Sequence, residues 1–197
     1  MVLLEKRTKF QTISFLIGKT FSRILKNPNH WTFLSLILAF LGFVFLIKNS
    51  FLLAGIFFLL SGVMDVIDGS VARYLHRSSR KGAYLDTVID RYSDFLMLLG
   101  FLFLDLPEIL FPSSFWVFFC LFGVMLTTYS KAAAKEKDLI ENEIRGGFLE
   151  RPERVLILST ATVFGEMSLQ ILTWTLIFLG ILSNITALQR IFKTLRS

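Results

Sequence analysis

Four aspartates, Asp65, Asp68, Asp86 and Asp90, interrupt a chain otherwise assembled from long apolar runs. They fall within DVIDGSVARYLHRSSRKGAYLDTVIDRYSD, the stretch from Asp65 to Asp94. Residues three or four apart share one helical face, so each half of the stretch presents two carboxylates in one direction. Both halves merge with hydrophobic segments, which sets the acids at or within a membrane boundary. A charge at the centre of a bilayer helix costs about 2.5–3.5 kcal/mol on insertion scales. Acids kept in such a place call for cations, and the pattern reads as a metal site.

The chain has 197 residues, 54% of them hydrophobic and 15% aromatic, with a mean hydropathy of +0.63. That excludes an ordinary soluble globular domain. At about 20 apolar residues per span, there is room for roughly six spans and little else. The expected fold class is therefore an all-α integral membrane protein forming a single domain over 1–197. Six transmembrane helices would occupy 31–197, after an N-terminal amphipathic interfacial helix over 3–26. Cys120, the only cysteine, lies in an apolar run, where it allows no intramolecular disulfide and reads as a small buried hydrophobe. His30 and His76 are too far apart in sequence to suggest a zinc pair.

Taken in order, residues 3–26 mix Phe10, Ile13, Phe15, Leu16, Phe21, Ile24 and Leu25 with six basic residues, which fits a helix lying in the headgroup region. Asn27-Pro28-Asn29 breaks it, and the first span is expected over Thr32 to Ile47. A second run from Phe51 leads through Asp65 and Asp68 to Tyr74; a third helix runs from Ala83 to Leu104. The fourth span, Phe115 to Tyr129, is expected to continue as the polar helix SKAAAKEKDLIENE, with Gly146-Gly147 starting the return. ERPER then leads into a fifth span over Val155 to Phe164, and a sixth over Leu169 to Ile185 precedes a basic tail.

Every Lys and Arg but Lys48 lies on one side if six spans alternate. The positive-inside rule then makes both termini and the loops 77–82 and 131–154 cytoplasmic, with the acids at that same face. The net charge of +6 is thereby accounted for by the membrane, and no nucleic-acid partner is expected.

The spacing Asp65-xx-Asp68-Gly69-xx-Ala72-Arg73-x8-Gly82-xxx-Asp86-xxx-Asp90 resembles the signature of the CDP-alcohol phosphotransferase family. The likeness extends from Pro28-Asn29-xx-Thr32 to Glu150-Arg151-Pro152-Glu153-Arg154. What it implies is transfer of a phosphatidyl-type group from a CDP-linked lipid to a second alcohol, with release of CMP. Phosphoryl transfer asks a protein mainly to position its substrates and neutralise charge. By this resemblance Asp65, Asp68, Asp86 and Asp90 hold two divalent cations, Mg²⁺ or Mn²⁺, and Asp90 is the general base. Gly69, Ala72, Arg73, Ser79 and Gly82 contact the CDP-lipid, while Pro28, Asn29, Lys131, Arg151 and Arg154 serve the acceptor. Read singly, Arg73 is equally well a counter-ion for the acids, and Gly69 and Gly82 are equally well helix-packing glycines.

For the acceptor, LDTVIDRYSD is similar to the LDSxxDRxxD form of phosphatidylinositol phosphate and archaetidylinositol phosphate synthases, and ERPER to their ERxER segment. Those enzymes commonly read KARAE where this chain reads Lys131-Ala132-Ala133-Ala134-Lys135. The resemblance thus implies a homodimeric enzyme of the cell membrane acting on L-myo-inositol 1-phosphate. Glycerol 3-phosphate as acceptor, or synthesis of di-myo-inositol phosphate phosphate, are the neighbouring alternatives. A divalent-cation transporter is the alternative of another class; it would place acids near the midplane and pair them across repeats, and this chain shows no repeat.

Overall fold

The computed structural model describes residues 2–140 and 149–196, with side chains from residue 12 onward. These residues form α1 (Val2–Phe21), α2 (Pro28–Ile47), α3 (Phe51–Tyr74), α4 (Arg80–Phe101), α5 (Ser113–Glu136), α6 (Arg151–Phe164) and α7 (Leu169–Arg196), with no strand among them.

Several boundaries differ from those expected, and capping and turn chemistry explains those of α2, α4 and α5. The first helix ends at Phe21 rather than Lys26, and its basic Lys6, Arg7 and Lys9, with Phe10, have side chains outside those described. α2 starts at Pro28, ahead of Thr32, because the Asn27 side chain accepts the Asn29 N–H at 3.1 Å and proline suits the first helical position. α4 starts at Arg80 rather than Ala83 because Ser79 Oγ caps it, accepting the Gly82 N–H at 3.0 Å. α5 stops at Glu136 and does not run on through the polar stretch as expected. Asp138 turns left-handed (φ 53°), and the Leu139 N–H closes onto the Ala134 carbonyl at 3.0 Å. Gly146-Gly147 lies outside the described residues. Arg151 and Pro152 form the first turn of α6 instead of leading into it, and the basic tail is the end of α7.

Four helices, α2, α3, α5 and α7, are long and apolar enough to cross a membrane; the chain is a multi-pass membrane protein. The other two expected spans fall short of that description. α4 carries Asp86, Asp90, Arg91 and Asp94. α6 has 14 residues, about 21 Å of helix against about 30 Å of hydrocarbon.

α2 packs on α3 and α4, α3 also holds α1 and α6, and α5 pairs with α7. Asn184 in α7 ties that pair together, donating to the carbonyls of Phe119 at 3.0 Å and Gly180 at 2.9 Å. Leu46, Phe58, Phe101, Leu172 and Leu176 fill the buried core. α3 and α4 scarcely touch each other, and the acids face one another across the space between them. α1 leaves Ile13, Phe15 and Leu16 exposed and turns Ser14 and Gly18 toward α3.

Candidate active site

One turn separates Asp65 from Asp68 on α3, and Asp86 faces them from the first turns of α4. One carboxylate oxygen from each lies within 4.8 Å of the others. Asp68, only 5% exposed, accepts the hydroxyl of Thr32 on α2 at 2.7 Å. Asp86 Oδ1 is buried without a hydrogen-bond partner. A cluster of hard oxygen donors, one of them an orphaned buried atom, fits a divalent cation.

Asp90 lies outside this group of three but beside Asp65. Arg151 Nη1 reaches Asp65 Oδ2 at 2.8 Å and Asp90 Oδ1 at 3.0 Å, so the guanidinium sits between the two acids. Arg91 Nη2 lies 3.8 Å from Asp90 Oδ2. The next acid along α4, Asp94, is buried and gathers three cations: Arg91 at 3.0 Å, Arg151 at 3.4 Å and Arg154 at 3.6 Å. Arginine is suited to such buried ion pairs because its guanidinium is rigid and always charged.

Two hollows meet at the acids. A cavity of about 170 Å³ lies among α2, α3 and α4, and its wall includes Asp68 and Asp86. Gly69, Ala72, Arg73, Ser79 and Gly82, the residues expected to contact a nucleotide, all line it. Pro28 and Asn29, expected to serve the acceptor, line this same cavity, because the cap of α2 tucks them against the start of α4. The second hollow, about 420 Å³, is an apolar groove among α1, α3 and α6, walled by Ile17, Phe21, Leu59 and Val63 with Asp65 and Arg151 at its polar margin.

Arg151 and Arg154, one turn apart on α6, converge on Asp94 as expected of two cations sharing a face. Lys131, expected beside them, is half-buried on α5 and lines neither hollow. Three participants were not singled out from sequence: Thr32, Arg91 and Asp94. Each was nonetheless visible, Thr32 within Pro28-Asn29-xx-Thr32, and Arg91 and Asp94 at i,i+3 in the DRxxD pattern.

Residues 25–190 match the family described as CDP-alcohol phosphatidyltransferase. The chain is 29% identical to archaetidylinositol phosphate synthase of Pyrococcus horikoshii over 180 residues, covering 90% of this chain and 88% of that one. It superposes on phosphatidylinositol phosphate synthase of Mycobacterium tuberculosis with CDP-DAG bound, at TM-score 0.76 and 24% identity, covering 93% of this chain and 94% of the other. Against the same enzyme in complex with manganese and citrate the TM-score is 0.78, again at 24% identity, with 92% and 88% covered. With that match running from the start of α2 into α7, the chain belongs to the CDP-alcohol phosphatidyltransferase family.

Proposed function

We propose that this protein transfers a phosphatidyl or archaetidyl group from a CDP-linked lipid to L-myo-inositol 1-phosphate, releasing CMP. One observation carries the reading: the three clustered carboxylates border both a polar cavity and an apolar groove. A CDP-lipid has that same order of parts, a nucleotide, then a diphosphate, then hydrocarbon. The cavity receives the nucleotide, with Gly69, Ala72, Ser79 and Gly82 at its walls and Arg73 toward phosphate. The groove receives the chains.

Asp65, Asp68 and Asp86, with Asp90 at their border, would hold two divalent cations, magnesium or manganese, which when bound neutralise the diphosphate and the charge developing on the leaving CMP. The acceptor hydroxyl gives its proton to Asp90. Its oxygen forms a bond to the phosphorus that carries the lipid, and the bond from that phosphorus to the oxygen of CMP breaks. Arg151 and Arg154 serve the phosphate of the acceptor, which competes with Asp90 and Asp94 for their guanidinium donors. Lys131 is assigned here to the same phosphate, and Pro28 and Asn29 to the margin between nucleotide and acceptor.

The chain acts as one domain of six spans, α4 and α6 crossing under the cover of their neighbours, and α1 lies at the membrane surface. Both termini and the acid cluster face the cytoplasm, and two copies associate. The acids lie toward one end of the helices, as a transferase fed from cytoplasmic nucleotides requires. Labelled CDP-lipid incubated in parallel with inositol 1-phosphate, glycerol 3-phosphate and serine tests the acceptor. CMP release should be fastest with inositol 1-phosphate; equal or greater rates with either other alcohol overturn that assignment. Asp90→Asn should retain Mn²⁺ binding and lose CMP release, and near-normal turnover would sink the role of Asp90 as base.

A further inference from the structure

Arg73 is held from outside the acid-bearing helices. Its Nε and Nη2 donate to Ser14 Oγ of α1 at 3.2 and 2.9 Å, and Nη2 also reaches Ser70 Oγ at 3.3 Å. The Ser70 hydroxyl donates its single proton to the Val66 carbonyl at 2.8 Å. Across the 3.1 Å between the two hydroxyls Ser14 is therefore the donor, which leaves its lone pairs to the guanidinium. Ser14 is 8% exposed, so the accepting hydroxyl is buried while the guanidinium it holds stays open to the cavity.

Gly18, one turn further along α1, makes the approach possible. A Cβ there would lie 2.5 Å from the Ser70 carbonyl oxygen and 2.6 Å from Tyr74 Cβ, so any larger residue forces α1 off α3. Phe15 braces the same seat, meeting the Tyr74 ring edge-on at 5.1 Å between centroids. With Nε and Nη2 engaged, Nη1 lies over Gly69, where a Cβ would come within 3.2 Å of it, in the wall of the polar cavity.

We propose that Ser14 is a positioning residue for the donor site, through which α1 holds the Arg73 guanidinium with Nη1 presented to a phosphate of the CDP-lipid. The inference rests on the donor role given to Arg73 above. Its residues, Ser14 and Gly18, lie outside the four-aspartate signature and, by sequence distance alone, have no reason to touch it.

The test is CMP release by the purified full-length chain in mixed micelles, with CDP-diacylglycerol, Mg²⁺ and inositol 1-phosphate each varied. Ser14→Ala should raise KM for CDP-diacylglycerol roughly threefold to tenfold, as loss of one modest hydrogen-bonding partner does. Its kcat and its KM for inositol 1-phosphate should stay at the wild-type values. Gly18→Ala, which keeps the hydroxyl but shifts α1, should reproduce that signature. Arg73→Ala should raise the donor KM further, and adding Ser14→Ala to it should change nothing more. Additive effects in the double variant overturn the positioning role, as does a donor KM unmoved by Ser14→Ala and Gly18→Ala while Arg73→Ala raises it; the donor reading of Arg73 then survives. A donor KM unmoved by Arg73→Ala overturns that reading and this proposal together.

Discussion

The two sides of the acid cluster are built from the same residue type and put it to opposite use. On the side of α2, Asp68 and Asp86 meet no arginine among the described ion pairs; their neighbours are the Thr32 hydroxyl and one another. On the side of α6, Asp90 and Asp94 are enclosed by Arg91, Arg151 and Arg154. On the proposed reaction, the carboxylates with no paired arginine are left to a metal, Asp94 holds its arginines in place for an incoming anion, and Asp90, between the two, takes the proton. Asp65 lies on the border and touches both sets. The lesson is that spacing along a helix identifies acids, but the helix packed opposite decides what they do.

The comparison is broken most directly at its metal end. Asp86→Asn should lower CMP release on the order of 10³-fold, the equivalent of roughly 4 kcal/mol of transition-state stabilisation, and should weaken Mn²⁺ binding followed by electron paramagnetic resonance. Chelation by EDTA should likewise stop the wild-type reaction, with Mg²⁺ or Mn²⁺ restoring it and the helical circular dichroism unchanged throughout. Persistent turnover after chelation contradicts the metal assignment.

At the arginine end, Arg154→Ala should raise KM for inositol 1-phosphate roughly thirtyfold, within the range for losing a charge-assisted hydrogen bond. Mn²⁺ affinity should not follow. If Arg154→Ala weakens metal as much as Asp86→Asn does, the two sides are one electrostatic unit and the division proposed here is wrong. The smallest effect sharpens the boundary: Thr32→Val removes the hydroxyl on Asp68 and should cost roughly tenfold in Mn²⁺ affinity, as outer partners of metal ligands do, while leaving the acceptor KM in place.

Much of this was legible in the amino-acid order because helical periodicity is local. Spacing alone paired Asp65 with Asp68 and Asp86 with Asp90, the family resemblance implied that the two pairs meet, and the apolar runs announced α2, α3, α5 and α7. The starts of α2 and α4 were legible too, since Asn27-Pro28 and Ser79 are capping residues, yet a capped start does not look different from a turn until its hydrogen bond is seen. The sharing of Arg151 by Asp65 and Asp90 was not legible, because that arginine arrives from a distant helix. Nor was the contact between Ser14 and Arg73, 59 positions apart. The expected grouping of Lys131 with Arg151 and Arg154 depended on where α5 runs relative to α6, and no pattern within either segment encodes that.

The meeting of a watery chamber with a greasy furrow at one acidic junction has a consequence for traffic. On the proposed reaction the two products part company where they are made: the nucleotide departs toward solvent past Ser79, while the new lipid slides sideways into the leaflet past Phe21 and Leu59. Neither has to wait for the other to clear a common doorway, and a congested bilayer would slow one departure without touching the other.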